Sequence, residues 1–172
     1  VEGSMQNVAD LELNPILRFQ HKHYFFFVAI AGFLAPALIA MTWGDFIGGF
    51  LVAGCLRLVF QWHATFSINS VAHTIGTRPY SLKNTARDSI LTALLTFGEG
   101  YHNFHHRFQS DYRNGVRWWQ FDPSKWTIWS LSRVGLVSDL KRASKDAIQR
   151  AKESVRREKQ ERKAARRKLA TK

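Results

Sequence analysis

The chain has 172 residues, 45% apolar and 22% charged, which is the length of one domain and excludes a chain disordered throughout. Its one cysteine, Cys55, excludes a disulfide framework and a cysteine-built zinc site. The net charge of +12 sits at one end: residues 141–172 hold 14 Lys+Arg against 4 Asp+Glu, a net of +10, and the rest hold 11 against 9, a net of +2, so a nucleic-acid-binding body is a poor reading.

The chain opens Val1-Glu2-Gly3-Ser4, with no basic region followed by an apolar stretch and a cleavage site, so no signal peptide is read there. Met5 is a conceivable internal start that nothing around it favours. This opening suggests a fragment. Residues 1–23 are expected to form a cytoplasmic juxtamembrane segment. His21 and His23, two apart, point to opposite sides of a helix and read as a polar cluster near headgroups.

Tyr24 to Trp43 is a run of 20 residues without a charge. At about 1.5 Å per residue it reaches about 30 Å, the thickness of a bilayer's hydrocarbon core. Pro36 is tolerable inside such a helix, and Tyr24 and Trp43 stand where interfacial aromatics belong. The competing reading is a core helix of a soluble protein. After a Gly44-Asp45 turn, residues 46–75 read as a return helix that extends into the cytoplasm. Gly48, Gly49 and Gly54 allow close approach of the two helices, and Arg57 is placed to snorkel to the headgroups. Basic residues flank both outer ends and only Asp45 lies in the turn, so both chain ends are expected on the cytoplasmic side.

Asn69 and His73 share a helix face at the emerging end of that segment; a single histidine there is more often a packing residue than a ligand. Residues 76–140 read as a cytoplasmic cap. Within it, His102, His105 and His106 fall in one 100° arc of a helix, which suits iron, zinc or copper. A solvated histidine-rich helix end is the alternative. Glu99, three before His102, is expected to orient an imidazole N–H rather than to ligate. Arg107, Arg113 and Arg117 suit contact with a headgroup, a phosphate or an acidic electron donor, and pairing with Asp111 and Asp122 explains them equally. Trp118, Trp119 and Trp126 suit a membrane interface or the packing of the cap. Pro123 opens a short helix, with its amphipathic part from Trp126 to Val137. Residues 141–172 form a basic tail, read as a solvated helix or a polybasic segment on an anionic leaflet.

These residues resemble the membrane-bound fatty acid desaturases of the stearoyl-CoA (Δ9) type, including bacterial and cyanobacterial members. The likeness runs through NPILRFQHKHY (14–24), WHATFSINSVAHTIGTRPY (62–80), GEGYHNFHHRFQSDYRNG (98–115), RWWQFDPSKW (117–126) and LSRVGLVSDLKR (131–142). It implies an all-α, integral-membrane, multi-pass fold, of which this chain is a C-terminal fragment: a helical hairpin, a cytoplasmic cap and a basic helical or disordered tail. It implies two iron ions, with His73, His102, His105 and His106 as ligands and Asn69 acting through water. It also implies Thr65 and Phe66 beside the acyl tunnel, with ordinary helix packing as the alternative. The implied reaction uses O2 and two electrons to place a cis double bond in an acyl-CoA or acyl-lipid. A ferredoxin or cytochrome b5 type protein would be the donor, and no nucleic acid takes part. The family's HxxxxH and first HxxHH boxes are not in this chain and are expected upstream of Val1, in the missing N-terminal part. The alternatives are hydroxylation by a related histidine-box enzyme, or a non-catalytic membrane anchor with a basic tail.

Overall fold

The computed structural model describes residues 8–170, so Met5 and the start of the expected juxtamembrane segment lie outside the described residues. Among the described residues the chain is helical, with isolated bridges at Thr77–Asp88 and Asp88–Tyr101 in place of a sheet. It divides into two units, Val1–Trp62 and His63–Lys172.

The first unit begins with α1 (Ala9–Glu12) and α2 (Pro15–Lys22). Asn14 caps α2 by accepting from Ile16 N at 3.0 Å, and Pro15 supplies the preset first turn. Then come α3 (Tyr24–Met41) and α4 (Phe46–Thr74), both long and apolar enough to cross a membrane. The unit boundary falls within α4. Their apolar side chains are largely exposed, Phe25 at 83%, which a soluble core helix would not allow. The expected span of 20 residues ends two residues early, because Thr42–Gly44 already form the turn. Asp45 caps α4, accepting from Gly48 N at 2.8 Å.

Neither long helix is uniform. Ile30–Leu34 and Gly49–Leu56 are π-helical. Pro36 lacks the N–H that the Gly32 carbonyl would receive in an α-helix. Arg57 fills that place: Nη2 donates to Gly32 O at 3.3 Å, Nε to Ala53 O at 2.9 Å, and Nη1 to Gln61 Oε1 at 2.9 Å. Arg57 therefore ties the two helices of the hairpin together. Gly49 is the close-approach point, where a methyl group would collide with Ala40 Cβ and crowd Pro36 O.

The second unit carries α5 (Ile90–Leu95), α6 (His102–Arg107), α7 (Pro123–Arg133) and α8 (Lys145–Ala170). Asp122 caps α7, which starts at the expected Pro123. It stops short of Val137, since Leu136 N bonds back to Leu131 O at 3.0 Å around Gly135. The tail is more than a solvated helix. Ile148, Ala151 and Val155 are buried, and Ile148 and Ala151 join Tyr80 and Phe104 in a small core. Beyond Val155 the same stripe turns cationic, with Lys159, Lys163 and Arg166 exposed.

Candidate metal centre

His73 stands at the end of α4 and His102 at the start of α6, and the segment between them, 77–88, grips both helices. On the α4 side, Arg87 N donates to Ala72 O at 2.7 Å and Arg87 Nε to His73 O at 3.3 Å. On the α6 side, Asp88 Oδ1 accepts from Asn103 N at 2.8 Å and Phe104 N at 3.1 Å, capping the helix. Burial outweighs these two bonds and pushes the Asp88 carboxyl up to about 6.

Asn103 is fully buried and uses all of its bonding capacity. Its Oδ1 accepts from Tyr80 N at 2.8 Å and Ser81 N at 3.2 Å. Its Nδ2 donates to Ser81 O and Ala86 O, both at 2.9 Å. Phe104, also fully buried, meets Tyr80 edge to face at 5.2 Å. The α6 register is thereby fixed at the two residues that follow His102.

This frame brings three imidazoles to one point. One ring nitrogen each from His73, His102 and His106 lies within 4.8 Å of the others. Ring centroids are 4.9 Å apart for His73 and His102, 5.6 Å for His73 and His106, and 4.4 Å for His102 and His106. His102 Nε2 and His106 Nε2 face each other at 3.0 Å. Burial, then the neighbouring His106, His73 and His105, lower His102 to about 4. Burial, then His105 and His73, lower His106 as well. The two rings are therefore neutral at pH 7 and offer lone pairs. His102 Nδ1 is buried without a hydrogen-bond partner among the described residues. Three ring nitrogens this close fit a transition-metal cation, and all-imidazole sets suit iron, zinc or copper.

The remaining expected residues are placed differently. His105 sits 6.0 Å from both His102 and His106 and lies outside the three-nitrogen set. On α6 it falls about 100° from His106, so its ring faces another direction. Asn69 is exposed one turn before His73. Thr65 and Phe66 are exposed, Phe66 at 65%. Glu99 accepts from Asn114 Nδ2 at 2.8 Å through Oε1. Gly100 presses against the Thr92–Ala93 backbone, where a methyl group would collide, and Glu99 is held beside the 114–120 loop. Asp122 organises that loop, accepting from Asn114 N and Gly115 N at 2.8 Å each. Lys125 Nζ donates to Gly115 O at 2.9 Å and Arg117 O at 3.0 Å.

Arg113 makes a two-pronged pair with Asp111, Nη2 to Oδ2 at 2.8 Å and Nε to Oδ1 at 2.9 Å. Its guanidinium is thus engaged internally, the ion-pair alternative among the expectations. Burial pushes the Asp111 carboxyl up, but Arg113 together with the Ala143 and Arg113 N–H groups outweighs it and holds the carboxyl below its usual range. Arg107 and Arg117 are exposed, lying over the rings of Phe108 at 5.5 Å and Trp119 at 5.4 Å. Trp118, Trp119 and Trp126 are all exposed. The sequence reading passed over Thr85, Asp88 and Asn103, and took Asp122 as a partner for the arginines. Of the first three only Asn103 carried a signal, its position between two histidines.

Comparison with known proteins bears on this site. The family model described as fatty acid desaturase matches residues 7–133. The chain is 46% identical over 146 residues to Acyl-CoA desaturase 1 of Saccharomyces cerevisiae, covering 84% of this chain and 29% of that protein. It is 36% identical over 153 residues to Stearoyl-CoA desaturase 5 of Bos taurus, covering 88% and 46%. It is 38% identical over 142 residues to Icosanoyl-CoA 5-desaturase of Limnanthes douglasii, covering 81% and 37%. The chain thus spans less than half the length of these curated relatives.

Proposed function

Because this chain belongs to the fatty acid desaturase family, we propose that it supplies part of the metal centre of a membrane-bound acyl-CoA desaturase. The observation that carries this reading is the set of three nitrogens from His73, His102 and His106 within 4.8 Å, drawn from two helices. Two iron ions, when bound, would supply O2 activation and removal of hydrogen from an unactivated methylene, with two electrons from a ferredoxin or cytochrome b5 type donor.

The work of this chain's own residues is to hold and to shield. His73, His102 and His106 would hold one ion through their converging ring nitrogens. His105, facing another direction, would serve the second ion together with histidines from the rest of the protein, and Asn69 would reach a metal through water. Asn103 and Asp88 keep the α6 register so that the rings converge. Thr65 and Phe66 would line the acyl tunnel, and Phe66's exposure leaves its face free for an apolar chain. Arg107 and Arg117, both exposed, would meet an acyl headgroup or the donor. The hairpin would cross the membrane with both ends and the metal site on the cytoplasmic side, as the flanking charges favour. A double bond at Δ9 is supported by relatives such as Delta(9)-fatty-acid desaturase fat-6 of Caenorhabditis elegans, 38% identical over 152 residues.

The test is iron content and lipid products of the complete gene product that contains this chain. Stoichiometric iron and a cis Δ9 monoene are expected. A hydroxylated product, or a Δ5 double bond, would redirect the reading to another member reaction. Absence of bound iron would leave only an anchor.

A further inference from the structure

We propose that Thr85 is a positioning residue that sets the tautomer of His73. The proposal rests on the metal-centre reading above, which makes the free nitrogen of His73 matter. His73 Nδ1 and Thr85 Oγ1 are 2.8 Å apart. With Nδ1 engaged there, Nε2 is the nitrogen left to offer a cation. A neutral imidazole has one N–H and one lone pair, so the hydroxyl's role decides which nitrogen keeps the lone pair. If Thr85 accepts from Nδ1–H, Nε2 is unprotonated and ready to bind. If Thr85 donated instead, the ring proton would stand on Nε2 and block the site.

In this proposal Thr85 takes the accepting role. Thr85 is exposed, so its own hydroxyl proton can go to solvent while its oxygen accepts from the ring. Thr85 is also held in place on both sides. Ala86, the next residue, is fully buried, and its carbonyl accepts from Asn103 Nδ2 at 2.9 Å. Asn84, the preceding residue, accepts from Arg78 Nη1 at 3.1 Å through its carbonyl. Arg87 binds the His73 carbonyl itself. The hydroxyl and the ring are therefore presented to each other by one fixed segment. Outer partners that fix a ligating histidine in this way typically change metal affinity about 10–100-fold when removed.

The decisive measurement needs no metal. The 172-residue chain, 15N-labelled at histidine in nanodiscs, is read by long-range 1H–15N correlation at pH 8, with His73→Gln assigning the signal. Expected is a protonated Nδ1 and an unprotonated Nε2. Thr85→Val, which keeps the shape but removes the hydroxyl, should mix the tautomers, and Thr85→Ser should restore the wild-type pattern. In Co2+ titrations followed by visible absorption, Thr85→Val should bind about 10–100-fold more weakly and Thr85→Ser like wild type. An unprotonated Nδ1 in the wild type overturns the proposal, even if Thr85→Val fails to fold. So does a Thr85→Val chain with an unchanged tautomer. Absence of iron from the complete gene product, with the expected tautomer in the wild-type chain, would sink the metal-centre reading and leave the tautomer assignment standing.

Discussion

Replacing Asn103 with alanine tests whether one buried amide holds the histidine-bearing helix in place. The side chain is fully buried and bridges α6 to Tyr80, Ser81 and Ala86 through four bonds of 2.8–3.2 Å. Water can reach the part-buried Ser81 groups after truncation, but the Tyr80 N–H and Ala86 carbonyl lie in buried bonds. An unsatisfied buried polar group costs about 1–3 kcal/mol, so two of them, with some loss of packing, give about 3–5 kcal/mol. For a unit of this size that corresponds to a fall of about 10–20 °C in melting temperature. Tryptophan fluorescence in nanodiscs reads this unit well, since Trp118, Trp119, Trp126 and Trp129 all belong to it. Asn103→Asp, which has the same shape, should do at least as much harm, because its second oxygen would face two carbonyls. Co2+ binding should weaken in both variants as His102 and His106 lose their register. A loss under about 2 °C with Asn103→Ala would refute the reasoning, since it would mean that solvent or relaxation replaces every bond.

Three further outcomes follow from other residues. Asp111→Asn should lower stability at pH 7 by about 1.5–3 kcal/mol, the range for hydrogen bonds to charged groups. Since the folded carboxyl is held below its unfolded value, that advantage is present above about pH 4 and is lost as pH falls through the folded value, so wild-type and variant melting curves should converge in acid. Gly100→Ala should prevent the second unit from folding, because its methyl group meets the Thr92–Ala93 backbone, whereas Gly44→Ala, at φ +87 with open space around it, should cost only about 1 kcal/mol; equal melting curves for the two would contradict this. A chain ended after residue 144 should lose about 3–5 kcal/mol through exposure of the Ile148, Ala151 and Val155 contacts, while one ended after residue 157 should melt like the full chain.

The hairpin was legible because uncharged length is a direct physical requirement of lipid, and the Gly44-Asp45 turn and the Pro123 helix start are local chemistry. The convergence of α4 and α6 was not readable from spacing, since His73 and His102 are separated by an irregular segment whose path depends on Asn103 and Asp88. Helical angles put His105 and His106 in one arc, yet six residues of real helix place only His106 beside His73. Glu99 followed a ligand-like spacing and went to Asn114, because two flanking glycines bent the chain away from helical geometry before His102. The tail's composition hid its anchoring stripe: three apolar residues among many cations give little average signal, but they sit on one face. Thr85 left no mark at all, since a threonine in a loop is ordinary until its neighbour is known.

The bond between Arg57 and the Gly32 carbonyl makes the two helices of the hairpin depend on each other. In the first, Pro36 withholds the N–H that the Gly32 carbonyl would take in an α-helix; in the second, Arg57 carries a guanidinium amid apolar residues. What one helix lacks the other supplies. A chain cut between them, at Gly44, would separate donor from acceptor and leave both halves of the hairpin with an unmet polar group.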